Sequence, residues 1–312
     1  MTIILKDEDL RGYAFMGVAI DAVEKAFAAR ARGEVVAPPR HHVAFPGRGV
    51  LVFTAGGILG DNPLAGFRVY DSFVGAEHTQ LVAVWSADDA RLKGLILGKW
   101  LGALRTGAIG GVAIRHMSSP DARIVGVVGS GMQARTQLAA AVAVRDVALA
   151  RVYSRDAAHR AEFAWDMQRE LGIEVEPAGS VREAVGDADI VLCATSSPEP
   201  VVSAADLKPG AHVNTLGPKD VDAHELALDV LEVARVIATD SREQANAYAV
   251  PFFLEGSGHE QRMIELSDIV AGKAPGRATS EDITLFCSVG LAGTEVAVAG
   301  AIFDRLSAEG AI

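Results

Sequence analysis

The stretch RIVGVVGSGMQARTQL, residues 123–138, decides the fold. Its apolar run, Ile124 to Val128, reads as a buried strand, and it passes directly into Gly129-x-Gly131-x-x-Ala134 and a helical pattern without proline. Strand, tight turn and helix in that order make a dinucleotide-binding unit. Gly129 permits the turn, Gly131 lets a pyrophosphate approach the backbone, and Ala134 keeps the helix close to the strand. The phosphates belong at the helix N-terminus, beside Met132 and Gln133, where open N–H groups and the positive end of the helix dipole meet them.

A glycine fingerprint alone is weak, and the continuation strengthens it. Residues 147–154 (VALARVYS) read as a second strand, 157–171 as a second helix and 189–194 (DIVLCA) as a later buried strand. Strands alternating with helices imply right-handed crossovers and a parallel sheet, so the fold class is α/β with a Rossmann-type NAD(P) domain. The end of the second strand bears on cofactor choice. An acidic residue there would bind the ribose 2′-hydroxyl of NAD, whereas Ser154 and Arg155 suit a 2′-phosphate, so NADP(H) is favoured. Asp156 is near enough to keep NAD(H) possible.

At 312 residues, 50% hydrophobic and 22% charged, the chain is long enough for two domains and too apolar for a disordered protein. Its net charge of -11 argues against nucleic acid as a partner, because phosphate backbones are held by basic surface. No apolar stretch reaches the roughly 20 residues of a membrane span. Two cysteines without CxxC spacing, Cys193 and Cys287, and no recognisable leader predict a reducing cytoplasm. The histidines are scattered and no metal site is expected; His41 and His42 are adjacent, but neighbours in a strand do not converge.

Outside the nucleotide domain, Met16 to Arg32 reads as a helix ended before Pro38 and Pro39. HHVAF, GVLVFT, AGFRVY and QLVAVW, between residues 40 and 85, read as short strands of a mainly antiparallel sheet. Leu92 to Met117 reads as a helix rich in small residues, and Ser118 to Asp121 as a turn. A last helix, Val289 to Leu306, returns to the first domain. The expected organisation is a smaller α+β domain, residues 1–116 with 288–312, around a nucleotide domain, residues 117–287.

Several of these segments are familiar together. Leu101 to Ala108 (LGALRTGA), the glycine loop, VYSR at 152–155, DIVLCATSS at 189–197, HVNTLG at 212–217 and SVGLA at 288–292 resemble the ornithine cyclodeaminase and mu-crystallin family, in order and spacing over almost the entire chain. The resemblance implies a homodimer whose split first domain carries the dimer interface and substrate pocket. It also implies that Thr195, Ser196, Asn214 and Gly217 line the cofactor, with Ser288 and Gly290 on the nicotinamide side. Arg40, Arg68 and Arg105 match positions where the family places cations around a substrate carboxylate, which a guanidinium meets with two parallel donors. At position 68 the family usually has lysine.

Two departures matter. An aspartate that acts in proton transfer in cyclodeaminases is replaced by Lys219, and a glutamate of an earlier strand by Val52 or a near neighbour. Neither replacement can accept a proton from a substrate ammonium as a carboxylate does. Asp220 or Asp222 would have to compensate; Lys219 is itself a candidate proton donor to an imine nitrogen or holder of a carboxylate. Tyr70, Asp71 and His42 are weaker acid/base candidates. The family spans several reactions, so the fold does not fix the chemistry. The leading reading is an NAD(P)-dependent oxidoreductase acting on a small amino acid, oxo acid or cyclic imino acid. The alternatives are a lyase that releases ammonia with recycled NAD, and a protein that binds NADPH and a ligand without turnover.

Overall fold

The strands between residues 40 and 85 pair antiparallel, as their Gly and Pro clusters predict. The computed structural model describes residues 2–10, 12–75 and 78–310. It divides into two units, Met1–Arg105 with Gly290–Ile312, and Thr106–Val289.

In the first unit, β1 (Ile3–Lys6), β2 (Val35–Val36), β3 (His41–Phe45), β4 (Gly49–Ile58), β5 (Leu64–Asp71), β6 (Leu81–Ser86) and β7 (Leu92–Leu97) form one sheet. The order is β1-β7-β6-β5-β4-β2, with β3 also on β4. Only β1 pairs in parallel, with β7. Helix α1 (Met16–Ala31) buries Met16, Ile20, Val23 and Phe27; of the face read from its sequence, Val18, Ala22, Ala26 and Ala29, only Ala26 and Ala29 are buried, because the large side chains decide which stripe turns inward. The C-terminal helix, Thr294–Ala308, packs on α1 and on strands β4 to β7.

Residues 92–117 are not one helix. LKGLIL is β7, held between β1 and β6, and helix α2 (Trp100–Met117) starts after a reversal at Gly98, φ 128°. Asp7 fixes that start: its carboxylate accepts from the backbone N–H groups of Lys99 at 3.0 Å and Trp100 at 2.8 Å. Short apolar runs carry no period of their own, so strand pairing decided this one. The last helix likewise begins at Thr294 rather than Val289, because Gly290 (φ 86°) and Gly293 (φ 83°) hold the preceding loop in the left-handed region. The boundary between the units falls within α2, at Thr106 rather than at residue 117.

The second unit holds β8 (Ile124–Val128), β9 (Leu149–Tyr153), β10 (Glu174–Pro177), β11 (Ile190–Cys193), β12 (His212–Thr215), β13 (Ala234–Thr239), β14 (Met263–Glu265) and β15 (Ile283–Cys287). They form an eight-stranded sheet in the order β10-β9-β8-β11-β12-β15-β13-β14. Every pairing is parallel. The chain moves outward from β8 through β9 to β10, then returns to β11 and moves the other way. That reversal between β8 and β11 is the switch point at which open parallel sheets bind ligands.

Helix α3 (Met132–Val144) follows β8, and α4 (Ala157–Leu171) follows β9. A buried polar chain ties α3 to the sheet. Gln137 of α3 donates to the Thr106 carbonyl at 2.9 Å, and Asn214 of β12 donates to Gln137 Oε1 at 3.1 Å. His212 lies 2.8 Å from both Asn214 Oδ1 and Thr284 Oγ1. Burial pushes the imidazole of His212 down to about 3, with the charges of Arg277 and Arg145 acting in the same direction against the bond to Asn214. It is therefore a neutral core group.

Candidate functional site

A cleft of about 560 Å³ opens at the C-terminal ends of β8, β9 and β11. Gly129, Gly131, Met132 and Gln133 form one wall, Ser154 and Arg155 another, and Thr195 and Ser196 a third. The two glycines differ in kind. Gly129 has φ 111°, and a Cβ there would strike the Ala194 carbonyl; at Gly131 a Cβ would meet nothing within 4 Å. Packing demands the first, and the second leaves backbone open to the cleft. Gly131 is also the N-cap of α3 and supplies no side-chain bond, so the first N–H groups of the helix are not capped by that residue. A dinucleotide pyrophosphate fits this arrangement. Ala134 is fully buried behind it, as close helix–strand packing requires.

At the end of β9, Asp156 is occupied. It caps α4, its Oδ1 accepting from the His159 N–H at 2.9 Å. Arg160 donates to the Ser154 carbonyl at 2.8 Å. His159, a cleft residue that the sequence reading missed, joins Arg155 there. A polar ring in the first turn of that helix was the available signal.

The loops after β11 and β12 are organised by another missed residue, Glu225, which is fully buried. Its Oε1 accepts from Thr195 N at 2.5 Å and Thr195 Oγ1 at 2.8 Å. Oε2 accepts from Thr215 Oγ1 at 2.8 Å, Leu216 N at 3.2 Å and Gly217 N at 2.6 Å. One carboxylate thereby fixes both strand ends, and Thr195 and Gly217 take their places through it. Asn214 differs from expectation: it is fully buried in the polar chain beneath α3 and is absent from the cleft lining.

Lys219 is 8% exposed, and its ammonium donates to the Gly217 carbonyl. Its charge also reaches Cys287 at the end of β15, whose thiol burial nevertheless pushes up to about 12. Asp220 closes the following turn, accepting from Asp222 N at 3.0 Å and Ala223 N at 2.8 Å. Ser288 donates to the buried Asp240 carboxylate at 3.3 Å, and Val289 N does so at 2.8 Å.

The arginine cluster lies in the first unit. Arg68 on β5 and Arg105 on α2 both donate to Glu295 of the C-terminal helix, Arg105 Nη2 at 2.6 Å and Arg68 Nη1 at 3.3 Å. A Cβ on Gly290 would collide with Arg40 Nη2 and lie 3.1 Å from Arg105 Nη1, so these two guanidiniums converge on Gly290. Gly290 thus belongs beside the arginines. Glu295 was not anticipated; the signal was a carboxylate in the first turn of an apolar Ala/Gly helix, a residue seldom buried without a partner. In the β4–β5 register Val52 faces Tyr70 and Thr54 faces Arg68, so Thr54 is the residue paired with position 68. Asp71 is 2.6 Å from His78 Nδ1 and accepts from Phe73 N at 3.1 Å, while His42 is exposed on β3.

The pattern of the ornithine cyclodeaminase/mu-crystallin family matches residues 1–310. Over 313 aligned residues the chain is 28% identical to the alanine dehydrogenase of Archaeoglobus fulgidus, covering 97% of this chain and 95% of that one. It resembles the structure of Thermococcus litoralis Δ1-pyrroline-2-carboxylate reductase in complex with NADH and L-proline, with TM-score 0.89, 29% identity and coverage of 99% and 98%. An archaeal alanine dehydrogenase dimer with bound NAD matches with TM-score 0.86, 26% identity and coverage of 99% and 97%. With nucleotide cleft and arginine positions inside a match of this extent, the chain belongs to the ornithine cyclodeaminase/mu-crystallin family.

Proposed function

We propose that this protein is an NAD(P)H-dependent reductase of carboxylate-bearing cyclic imines of the Δ1-pyrroline-2-carboxylate kind, with NADPH preferred. The observation that carries the reading is Lys219. It stands where the resemblance places the aspartate of cyclodeaminases, and the neighbouring Asp220 is committed to a turn. A deaminating enzyme needs a base that takes a proton from the substrate ammonium, whereas an ammonium side chain delivers one. Imine reduction needs that delivery: the imine carbon takes a hydride and the nitrogen takes a proton, leaving a secondary amine.

The reduced nicotinamide supplies the hydride when bound. The chain supplies the rest. The α3 N-terminus and the glycine loop hold the pyrophosphate, Glu225 fixes the loops carrying Thr195 and Gly217, arginines hold the substrate carboxylate, and Lys219 gives the proton to nitrogen. Preference for NADPH is supported by Ser154, Arg155 and His159 at the end of β9, together with the capping role of Asp156. A second copy of the chain is the proposed partner, since Ile4 (58% exposed), Val36 (51%) and Val74 (89%) present apolar side chains on the first unit.

The test mixes protein, NADPH and Δ1-pyrroline-2-carboxylate and follows the absorbance of the reduced nicotinamide. Oxidation is expected, and Lys219→Ala should lower kcat by about a hundredfold while NADPH affinity is unchanged. Ammonia from L-ornithine without net change in cofactor, with the imine inert, would overturn the reading in favour of a lyase.

A further inference from the structure

The arginines of the first unit are not equivalent. Each of the three guanidinium nitrogens of Arg68 has a protein partner: Nη1 donates to Glu295 Oε1 at 3.3 Å, and Nε and Nη2 donate to Gln80 Oε1 at 3.1 and 2.6 Å. The same guanidinium lies 4.5 Å from the centre of the Tyr70 ring. Gly102, on α2 three residues before Arg105, leaves the space this needs, since a Cβ there would come within 2.7 Å of Arg68 Nη2 and 2.8 Å of Gln80 Oε1. A lysine at position 68 has one nitrogen and no fork, and would not hold both partners in this geometry.

Arg105 is 3% exposed and meets Glu295 with Nη2, while its Nη1 faces Gly290 and the head of Arg40. Two guanidiniums brought to one carboxylate oxygen repel each other, and an ionised oxygen offsets that repulsion. Burial by itself would raise the Glu295 carboxyl, yet the charges of Arg105, Arg68 and Arg40 hold it below the usual carboxylate range. Glu295 therefore stays ionised, and the long Arg105 side chain is fixed before any ligand arrives, which removes ordering entropy from binding.

We propose that Glu295, Arg68 and Gln80 form a brace that positions the Arg105 guanidinium, and that Arg40 and Arg105, not Arg68, receive the substrate carboxylate. This rests on the carboxylate-binding reading of the cluster given above. Arg68 and Glu295 are then positioning residues, acting through Arg105. The arrangement also separates two tasks that three equivalent arginines would share: Arg40 and Arg105 read the ligand, and Arg68, held by Glu295, Gln80 and the Tyr70 ring, keeps Arg105 in place.

A double-mutant cycle with NADPH and Δ1-pyrroline-2-carboxylate tests it. Arg105→Lys should lower kcat/KM by about a hundredfold, mostly through KM. Glu295→Gln and Arg68→Met should each lower it by about tenfold through KM, with kcat within about twofold, and Arg68→Lys should give a milder form of the same loss. In the Arg105→Lys background the Glu295 and Arg68 penalties should vanish; penalties that add independently overturn the brace. Side-chain NMR of arginine-labelled protein gives a readout that needs no turnover. Resolved Arg105 Nη–H signals, reporting slow rotation, should average in Glu295→Gln and in Arg68→Met, and their persistence overturns the brace whatever the substrate is. Undiminished kcat/KM in Arg105→Lys would instead sink the carboxylate reading.

Discussion

Both units present an arrangement that suits an anion, and they build it from different parts. In Thr106–Val289 the donors are backbone N–H groups at the start of α3, with glycine where a side chain would intrude and no charged side chain in the loop. In Met1–Arg105 with Gly290–Ile312 the donors are guanidiniums, and a buried carboxylate sets their positions. The backbone arrangement spans a few consecutive residues, Gly129 to Gln133. The side-chain arrangement draws on residues 40, 68, 80, 105 and 295, and its shortest ion pair joins residues 190 apart in sequence. A site made of local geometry can be read from a local pattern, whereas one made of tertiary contacts cannot.

The largest effect is expected where the backbone arrangement is broken outright. Gly129→Ala forces an L residue to φ 111° and drives its methyl group into the Ala194 carbonyl, so it should destabilise the protein by about 3 kcal/mol. NADPH affinity should fall by more than about a hundredfold, because the turn that aims α3 is displaced. Gly131→Ala should behave differently. Its backbone has φ -81° and a new methyl group meets nothing within 4 Å, so thermal stability should hold while NADPH affinity falls about tenfold. Thermal melts and fluorescence titrations of both variants settle this. Unchanged NADPH affinity in Gly131→Ala would mean that the pyrophosphate does not approach that residue, and the backbone half of the comparison would fail.

How much the sequence disclosed follows the same division. The strand Ile124–Val128 and the helix at residues 157–171 stand where the sequence puts them, the strand because the glycine turn that follows it marks its end, and the helix because an amphipathic pattern carries its own period. Leu92–Leu97 was read as helix because six residues of mixed character show no period, and its pairing with β1 and β6 is a fact about distant segments. The three arginines were reached through the family resemblance, but Glu295 and Glu225 were not: a carboxylate looks the same in sequence whether it is solvated or clamps the loops of a site. Asn214 shows the converse. A motif position assigned to the cofactor is used to hold α3 onto the sheet.

The two units should also part on acidification. His212 is held neutral at about 3 in the fold and has its ordinary 6.5 when unfolded. Between those values the unfolded chain binds the extra proton, so stability falls as pH drops from about 6.5 towards 3, by up to about 1.4 kcal/mol per pH unit. Glu295 is depressed below its ordinary 4.5, so its contribution is fully present above 4.5 and is lost only as pH falls further. Between pH 6.5 and 5 the second unit alone should feel this loss. Urea midpoints across that window should fall for the parent chain and stay flatter for His212→Asn, and a flat parent profile would mean His212 is not a buried neutral group.

The smallest effect is expected at the outer end of the cleft, where donors become side chains again. Arg155 is exposed at the end of β9 and lines the cleft with Ser154 and His159. A 2′-phosphate there gains a charge-assisted contact that a 2′-hydroxyl cannot match, but solvent and salt screen an exposed cation. Arg155→Ala should therefore weaken NADPH binding about fivefold to tenfold and leave NADH within about twofold, with the difference shrinking as salt is raised. The double variant with His159→Ala should bring the two cofactors close to parity. An equal loss of both would place Arg155 on a part that NADH and NADPH share, and the cleft would then bind its whole ligand through backbone and pyrophosphate, sharpening the contrast with the guanidinium cluster.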